Sequence, residues 1–180
     1  YVGCAGGCNT LTTARVETAA AAAGSAGARV AVAGLSGGHS GCDIHRQRGN
    51  ANRLLAQALQ ALSTELAGTL WLLALDGGNA RNALPREAQA HIALPASAEG
   101  SARRCLAALH AAWCSALVGE DGERTIAWSL EPTAAPADTP AQALSPSAQA
   151  ALLGALCNTP YGVRAMSADF AGVVAASNNL

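Results

Sequence analysis

Leucines at helical spacing predict the first helix, over Arg53 to Leu66. Those on one face are Leu55, Leu59, Leu62 and Leu66. Such spacing marks the apolar face of an amphipathic helix. Asn50 can cap this helix, because its side chain can accept a hydrogen bond from an early backbone N–H, and Gly68 ends it.

Two further helices are predicted downstream. Ala102 to Leu117 has Ser101 as a candidate cap, and its apolar face consists of Leu106, Leu109, Trp113 and Leu117. The third helix starts with Ser145 as cap and Pro146 at the first helical position, where proline is favoured. Its apolar face consists of Leu152, Leu153 and Leu156.

Apolar runs of strand length lie before, between and after these helices. The predicted strands are Arg15 to Ala22, Ala28 to Leu35, Thr69 to Leu75, Ala88 to Leu94, Arg124 to Leu130, Val163 to Met166 and Gly172 to Ala176. The turn from Gly24 to Gly27 predicts that the first two strands form a hairpin. In the fourth strand, His91 and Ile92 fall on opposite faces.

This order predicts an α+β fold with two layers. From Val30 the elements run strand, helix, strand, strand, helix, strand, and each helix has one apolar face that the sheet can cover. We expect residues 1–13 to be a tether and residues 14–131 the core. Residues 132–144, rich in Pro, Ala and Thr, are predicted to be a linker or mobile loop. Residues 145–180 add a helix and short strands.

Composition and charge narrow the function classes. The chain has 180 residues, which fits one domain or one domain with an extension. The net charge is -1, and its 11 basic residues, all Arg, form no basic stripe, which argues against nucleic-acid binding. We expect no membrane span, because no apolar stretch is long enough, and no signal peptide.

Cysteine usage indicates a reducing compartment. The six cysteines are Cys4, Cys8, Cys42, Cys105, Cys114 and Cys157. An even count could mean disulfides, but these spacings do not resemble a small secreted scaffold. We predict free, reduced thiols in a cytoplasmic protein.

The stretch from Gly34 to Asn52 contains the main candidate chemistry. It places one imidazole, His39, among Gly37, Gly38 and Gly41, between a predicted strand and a predicted helix. Glycines let the backbone adopt left-handed conformations and approach a ligand closely. From the residues alone, His39 is either a substrate-contacting group or a loop histidine that satisfies backbone groups.

Four stretches resemble one enzyme family. Residues 34–52, GLSGGHSGCDIHRQRGNAN, resemble the GLxGGHSGxxIHxxxGNAN segment of aminoacyl-histidine dipeptidases. These enzymes, also called cytosol non-specific dipeptidases, belong to the zinc peptidase superfamily of carnosinase and aminoacylase. Residues 2–7 and 77–88 resemble further segments in the same order, as do residues 159–167 together with 172–174 and 177–180, with Tyr161 in place of an expected asparagine. The matched part is the family's central lid domain.

The resemblance implies a fold, a reaction and two site residues. It implies a mostly antiparallel sheet with helices on one face, in a lid that also serves as a homodimer surface. The parent enzyme would hydrolyse dipeptides such as aminoacyl-histidine by attack of a zinc-activated water. His39 would bond the scissile carbonyl oxygen and stabilise the oxyanion, and Asn82 would contact the substrate. The zinc ligands would lie in the parent's catalytic domain, so we expect no metal and no activity in this fragment alone.

Other polar residues receive structural interpretations. We expect Asp43 to hold the loop by bonding backbone N–H groups, His45 to be a surface or packing residue, and Arg86 to be structural. Asp43 and His45 are too few for a zinc site. His91 and His110 are interpreted as ordinary.

Two rival functions stay open. The chain could be a non-catalytic association module. It could also be a small hydrolase that uses Cys42 with His39 or His45, although no oriented Cys-His-acid set is evident.

Overall fold

A four-stranded antiparallel sheet is the centre of the computed structural model, which describes residues 6–117, 126–133 and 142–180. The strands are β1 (Thr18–Ala20), β2 (Ser25–Ala33), β3 (Trp71–Gly77), β4 (Ala88–Pro95), β5 (Ala127–Thr133), β6 (Gln142–Leu144), β7 (Gly162–Met166) and β8 (Val174–Asn178). The helices are α1 (Ala51–Glu65), α2 (Glu99–Ala116) and α3 (Pro146–Asn158), with 3-10 turns at Ile44–Arg46 and Ala96–Ala98. The strand order in the sheet is β3-β4-β2-β5.

The core lies between this sheet and the helices. β2 alternates, so that Val30 and Val32 are fully buried while Arg29 and Ala31 on the other face are partly exposed. Leu55, Leu59 and Leu62 of α1 are also fully buried and belong to the same cluster. α1 packs against both α2 and α3. The predicted α+β architecture, with a mostly antiparallel sheet, is confirmed.

Both predicted caps of α1 and α3 are present. The Asn50 side chain accepts from Arg53 N at 3.1 Å, and Ser145 Oγ accepts from Ala148 N at 3.2 Å. Ser101, in contrast, does not cap α2. That helix begins at Glu99, directly after the 3-10 turn, so Ser101 lies inside its first turn. Gly119, the residue that we expect to stop this helix, lies outside the described residues.

The predicted hairpin of the first two strands is wrong. β1 pairs with β6, with Ala19 opposite Ala143. The reason is that β2 has no free edge, since β4 and β5 pair with it on its two sides. The small β1–β6 sheet buries Ala21 and Ala143 against Ala93 of β4.

The boundaries of the predicted linker also differ from the structure. β5 continues to Thr133, which pairs with Gly27, and β6 starts at Gln142, inside the segment 132–144. Residues 134–141 lie outside the described part of the chain, as do Arg124 and Thr125 of the predicted fifth strand. Residues 6–13, the described part of the expected tether, form neither helix nor strand, and the same holds for residues 14–17.

β7 and β8 form a separate hairpin near the C-terminal end. Its apolar residues Met166, Phe170 and Val173 are half or more exposed. Within residues 6–117, 126–133 and 142–180, no helix has the length and apolar character needed to cross a membrane.

Candidate active-site loop

Residues 34–50 connect β2 to α1 and form a loop held mainly by polar contacts. Gly37 and Gly38 have φ values of +67° and +136°, which only glycine adopts readily. A Cβ on Gly38 would lie 2.5 Å from Arg48 Nη1 and 2.8 Å from Asp43 Oδ2. Glycine is therefore required here both for the backbone conformation and for the close approach of these two side chains.

The His39 ring is exposed and has a defined tautomer. Its Nδ1 accepts hydrogen bonds from the backbone N–H of Gly41 at 3.0 Å and of Cys42 at 3.2 Å. A ring nitrogen that accepts carries no proton, so the neutral ring carries its proton on Nε2. The loop thus holds an imidazole whose Nε2–H can donate to a ligand.

Asp43 fixes the backbone of His39. Its Oδ2 accepts from His39 N at 2.8 Å, and its own N donates to His39 O at 2.9 Å. The predicted role of Asp43 in holding the loop is confirmed. The hydrogen bond from His39 N lowers the pKa of the Asp43 carboxyl; desolvation opposes this, and the charges of Arg48 and Arg46 add to it.

Arg48 connects the loop to the C-terminal part of the chain. Its Nη1 donates to Gly37 O at 2.6 Å and lies 3.9 Å from Asp43 Oδ2. The hydroxyl of Tyr161 donates to Arg48 O at 3.0 Å. Tyr161, the departure from the family pattern, therefore braces this loop, a contact with no signal in the sequence.

The structure brings His39 and Asn82 onto adjacent segments. His39 and Ala83 form an antiparallel bridge, in which Ser40 N donates to Asn82 O at 2.9 Å and Leu84 N donates to Gly38 O at 2.8 Å. Both His39 and Asn82 are exposed. Their predicted roles toward a substrate remain predictions.

Arg86 holds the start of the loop through two hydrogen bonds with the backbone of Leu35. Its Nε donates to Leu35 O at 3.3 Å, and its backbone oxygen accepts from Leu35 N at 3.4 Å. These contacts agree with the structural role predicted for Arg86.

His39 and Asp43 do not fit a zinc ion. His39 uses Nδ1 to accept two backbone N–H groups, and its Nε2 bears the proton. Asp43 is engaged by the His39 backbone and by Arg46 Nε at 3.2 Å. Across the described ranges there is no group of three or more His, Cys, Asp or Glu side chains suited to hold a metal.

The cysteines of the described residues are free thiols. Cys4 lies outside these residues, and the free ones are Cys8, Cys42, Cys105, Cys114 and Cys157. Burial raises the pKa of the Cys105 and Cys157 thiols. The Cys42 thiol cannot pass a proton to His39 Nδ1, because that nitrogen already accepts two backbone bonds. This geometry disfavours the form of the small-hydrolase hypothesis that pairs Cys42 with His39.

A second cysteine–histidine pair occurs in α2. Cys114 Sγ lies 3.4 Å from His110 Nε2, which is 2.9 Å from Ile126 O. A carbonyl can only accept, so Nε2 carries the proton and donates to it. His110 therefore cannot act as a base toward Cys114 and instead ties α2 to the start of β5.

A cavity of about 790 Å³ lies beside the loop, on the sheet face away from the helices. Its lining includes Arg29, Gln89, Ser129 and Gly38, but neither His39 nor Asn82. Arg29 donates to Gln89 Oε1 at 2.9 Å and to Glu131 Oε2 at 2.8 Å. These two bonds hold its guanidinium against neighbouring side chains of the sheet, and the bond from Arg29 lowers the pKa of Glu131.

Comparison with known proteins gives three consistent findings. A family model described as a peptidase dimerisation domain matches residues 30–120. The cytosol non-specific dipeptidase of Escherichia coli (strain K12) is 44% identical over 96 residues, which cover 53% of this chain and 19% of that protein. The crystal structure of aminoacylhistidine dipeptidase from Vibrio alginolyticus superposes with a TM-score of 0.82 at 35% identity, covering 91% of this chain and 32% of that one. The chain thus spans about a fifth and about a third of these two relatives.

Proposed function

The chain belongs to the family of peptidase dimerisation domains, and from this premise we propose that it is the lid and dimerisation domain of a zinc-dependent dipeptidase. The substrates we propose are dipeptides such as aminoacyl-histidine, and the compartment is the cytoplasm. The names of the two relatives support this substrate class. The partners are the dipeptide, a second copy of the chain and the enzyme's own catalytic domain.

The role proposed for His39 is to stabilise the oxyanion. The observation that carries it is the pair of backbone N–H bonds to Nδ1, which leaves Nε2–H as a donor on an exposed ring. A hydrogen bond from this N–H to a scissile carbonyl oxygen strengthens as that oxygen becomes negative in the tetrahedral intermediate. An interaction that is stronger in the transition state than in the ground state raises the turnover rate.

Asn82 is proposed as a substrate contact beside His39. Its backbone oxygen accepts a hydrogen bond from Ser40 N. The side chain amide is not needed for that contact, and the residue is exposed. An amide at this point can donate to or accept from a peptide group. The zinc of the enzyme would be held by the catalytic domain, since the donor set of this loop does not fit the metal.

The test is the kinetics of His39→Ala in the dipeptidase that contains this domain. We expect kcat to fall on the order of a hundredfold, as for loss of one oxyanion donor, with a smaller change in KM. His45→Ala is the matched control, because His45 is an exposed histidine in the same loop and should leave kcat near its original value. Near-normal turnover by folded His39→Ala would refute the role of His39.

For dimerisation, we propose that β5 is the edge that pairs with a second copy. The other end strand, β3, is already engaged: Gln149 Oε1 accepts from Leu72 N at 2.8 Å and its Nε2 donates to Leu70 O at 3.2 Å. Within the described residues, β5 pairs with β2 on one side and with no strand on the other. An unpaired strand edge favours pairing with another chain.

Sedimentation combined with amide hydrogen exchange tests this edge. We expect a dimer, with amides of residues 127–131 and 133 becoming more protected as concentration rises and amides of β3 unchanged; Pro132 has no N–H to follow. A monomer at high concentration, or protection confined to β3, would contradict this assignment.

The alternative is a non-catalytic association module. The observation in its favour is that the backbone contacts of His39 Nδ1 also stabilise the loop by themselves. In that case the protein that contains this chain would hydrolyse no dipeptide, and His39→Ala would alter only the loop.

A further inference from the structure

The carbonyl oxygen of Ala83 lies between the His39 loop and residues 179–180, and it accepts a hydrogen bond from Asn179. Ala83 is the bridge partner of His39, and the hydrogen bonds of this bridge run between their neighbours. In such a pair the N–H and C=O of the two paired residues point away from each other. The Ala83 carbonyl therefore needs a hydrogen-bond partner from outside the bridge.

Asn179 supplies this partner. Its Nδ2 donates to Ala83 O at 2.9 Å, and its Oδ1 accepts from Asn50 Nδ2 at 3.3 Å. Asn50 is only 2% exposed and caps α1 through Arg53 N. Its Nδ2 also donates to the backbone oxygen of Leu180 at 2.9 Å. One amide side chain thus joins the bridge segment to the cap of a buried helix.

We propose that Asn179 is a positioning residue that holds residues 82–84, and through the bridge His39, in place against the N-terminus of α1. A neighbouring contact acts in the same sense, since Ala51 N at the start of α1 donates to Pro85 O at 3.1 Å. Asn179 touches neither ring nitrogen of His39 and acts only through Ala83. Its effect on catalysis rests on the function proposed above, whereas its effect on the loop does not.

Two variants of Asn179 separate its two hydrogen bonds. Asn179→Asp keeps an acceptor for Asn50 and removes the donor to Ala83 O. Asn179→Ala removes both. The measurements are the hydrogen-exchange rates of the Ser40 and Leu84 amides, which form the bridge, and the ring-nitrogen NMR signals of His39, all in the chain itself.

We expect both variants to accelerate exchange at Ser40 and Leu84 on the order of fivefold, as for the loss of one hydrogen bond, and to broaden or shift the His39 ring signals. The control is Asn158→Ala, which removes a bond to Gly154 O at the end of α3 and should leave these amides unchanged. Asn179→Asp decides the question if Asn179→Ala does not fold, because it retains the contact to Asn50.

Exchange rates and ring signals in Asn179→Asp equal to those of the original chain would overturn the proposal, whatever Asn179→Ala does. The measurement uses no substrate, so its result stands apart from the kinetics of His39→Ala. In the dipeptidase, Asn179→Asp should then lower kcat by less than His39→Ala does, with KM nearly unchanged.

Discussion

The sheet–helix core and the His39 loop are stabilised by different interactions. In the core, Val30, Leu55 and Leu59 are completely buried among apolar neighbours. In the loop, His39 is exposed, and its geometry depends on a hydrogen bond from its backbone N–H to the Asp43 carboxylate and on two hydrogen bonds from backbone amides to its ring. Burial is not directional, whereas a hydrogen bond requires particular atoms at particular distances. Changes in the core should therefore affect global stability, and changes in the loop should affect local geometry.

The largest expected effect comes from the core. Leu59→Ala should lower the free energy of unfolding by about 2–5 kcal/mol, because it removes buried apolar atoms and leaves a cavity. Denaturant titration measures this change. Leu11→Ala is the matched control, since Leu11 is 91% exposed and its loss should cost under about 0.5 kcal/mol. Similar values for the two variants would contradict the assignment of Leu59 to the core.

The next effect concerns the backbone of the loop. Gly38→Ala should lower the free energy of unfolding by about 3 kcal/mol, because it adds backbone strain and a clash with Arg48 and Asp43. Gly24→Ala provides the comparison: its φ is +78°, yet a Cβ there meets no atom within 4 Å. It should cost about 1 kcal/mol from backbone strain alone. Thermal unfolding of both variants measures these two losses of stability. Equal losses would mean that the close contacts at Gly38 do not matter.

A smaller, local effect is expected from pH. The pKa of Asp43 in the folded chain lies below its ordinary value of 3.8, chiefly because of the bond from His39 N. The carboxylate therefore stabilises the loop above that ordinary value, and this contribution is lost as the pH falls through the lower folded-state pKa. The amide resonance of His39 should shift with a midpoint below 3.8.

Two variants check that this transition belongs to Asp43. Asp43→Asn should abolish the shift of the His39 amide. Glu131→Gln should leave it intact, because Glu131 is paired with Arg29 on the sheet. Persistence of the shift in Asp43→Asn would mean that another group titrates there.

Local patterns predicted the elements better than their partners. Asn50 and Ser145 were identifiable as caps because a cap bonds an amide only three residues ahead. Asp43 was identifiable for the same reason, four residues from His39. Ser101 failed as a cap, because the 3-10 turn at Ala96–Ala98 starts the helix earlier, and this turn has no distinctive pattern.

Contacts between distant residues could not be predicted from one sequence. The partner of β1 depends on which edges of β2 are already occupied, and both are. Asn179 and Ala83 are 96 residues apart, and Tyr161 and Arg48 are 113 apart. Such pairs form only after the sheet and α1 bring their segments together, so neither periodicity nor motif spacing indicates them. Of the two proposed site residues, His39 is a candidate from its glycine-rich loop alone, whereas the role proposed for Asn82 rests on family resemblance.

The tautomer of His39 tests the central claim most directly. A long-range ¹H–¹⁵N NMR correlation spectrum of the chain distinguishes a protonated ring nitrogen from an unprotonated one. We predict that His39 is protonated at Nε2 and unprotonated at Nδ1, because Gly41 and Cys42 donate to Nδ1. A proton on Nδ1, or an averaged mixture of the two tautomers, would contradict the proposal that this loop presents Nε2–H to a substrate oxygen.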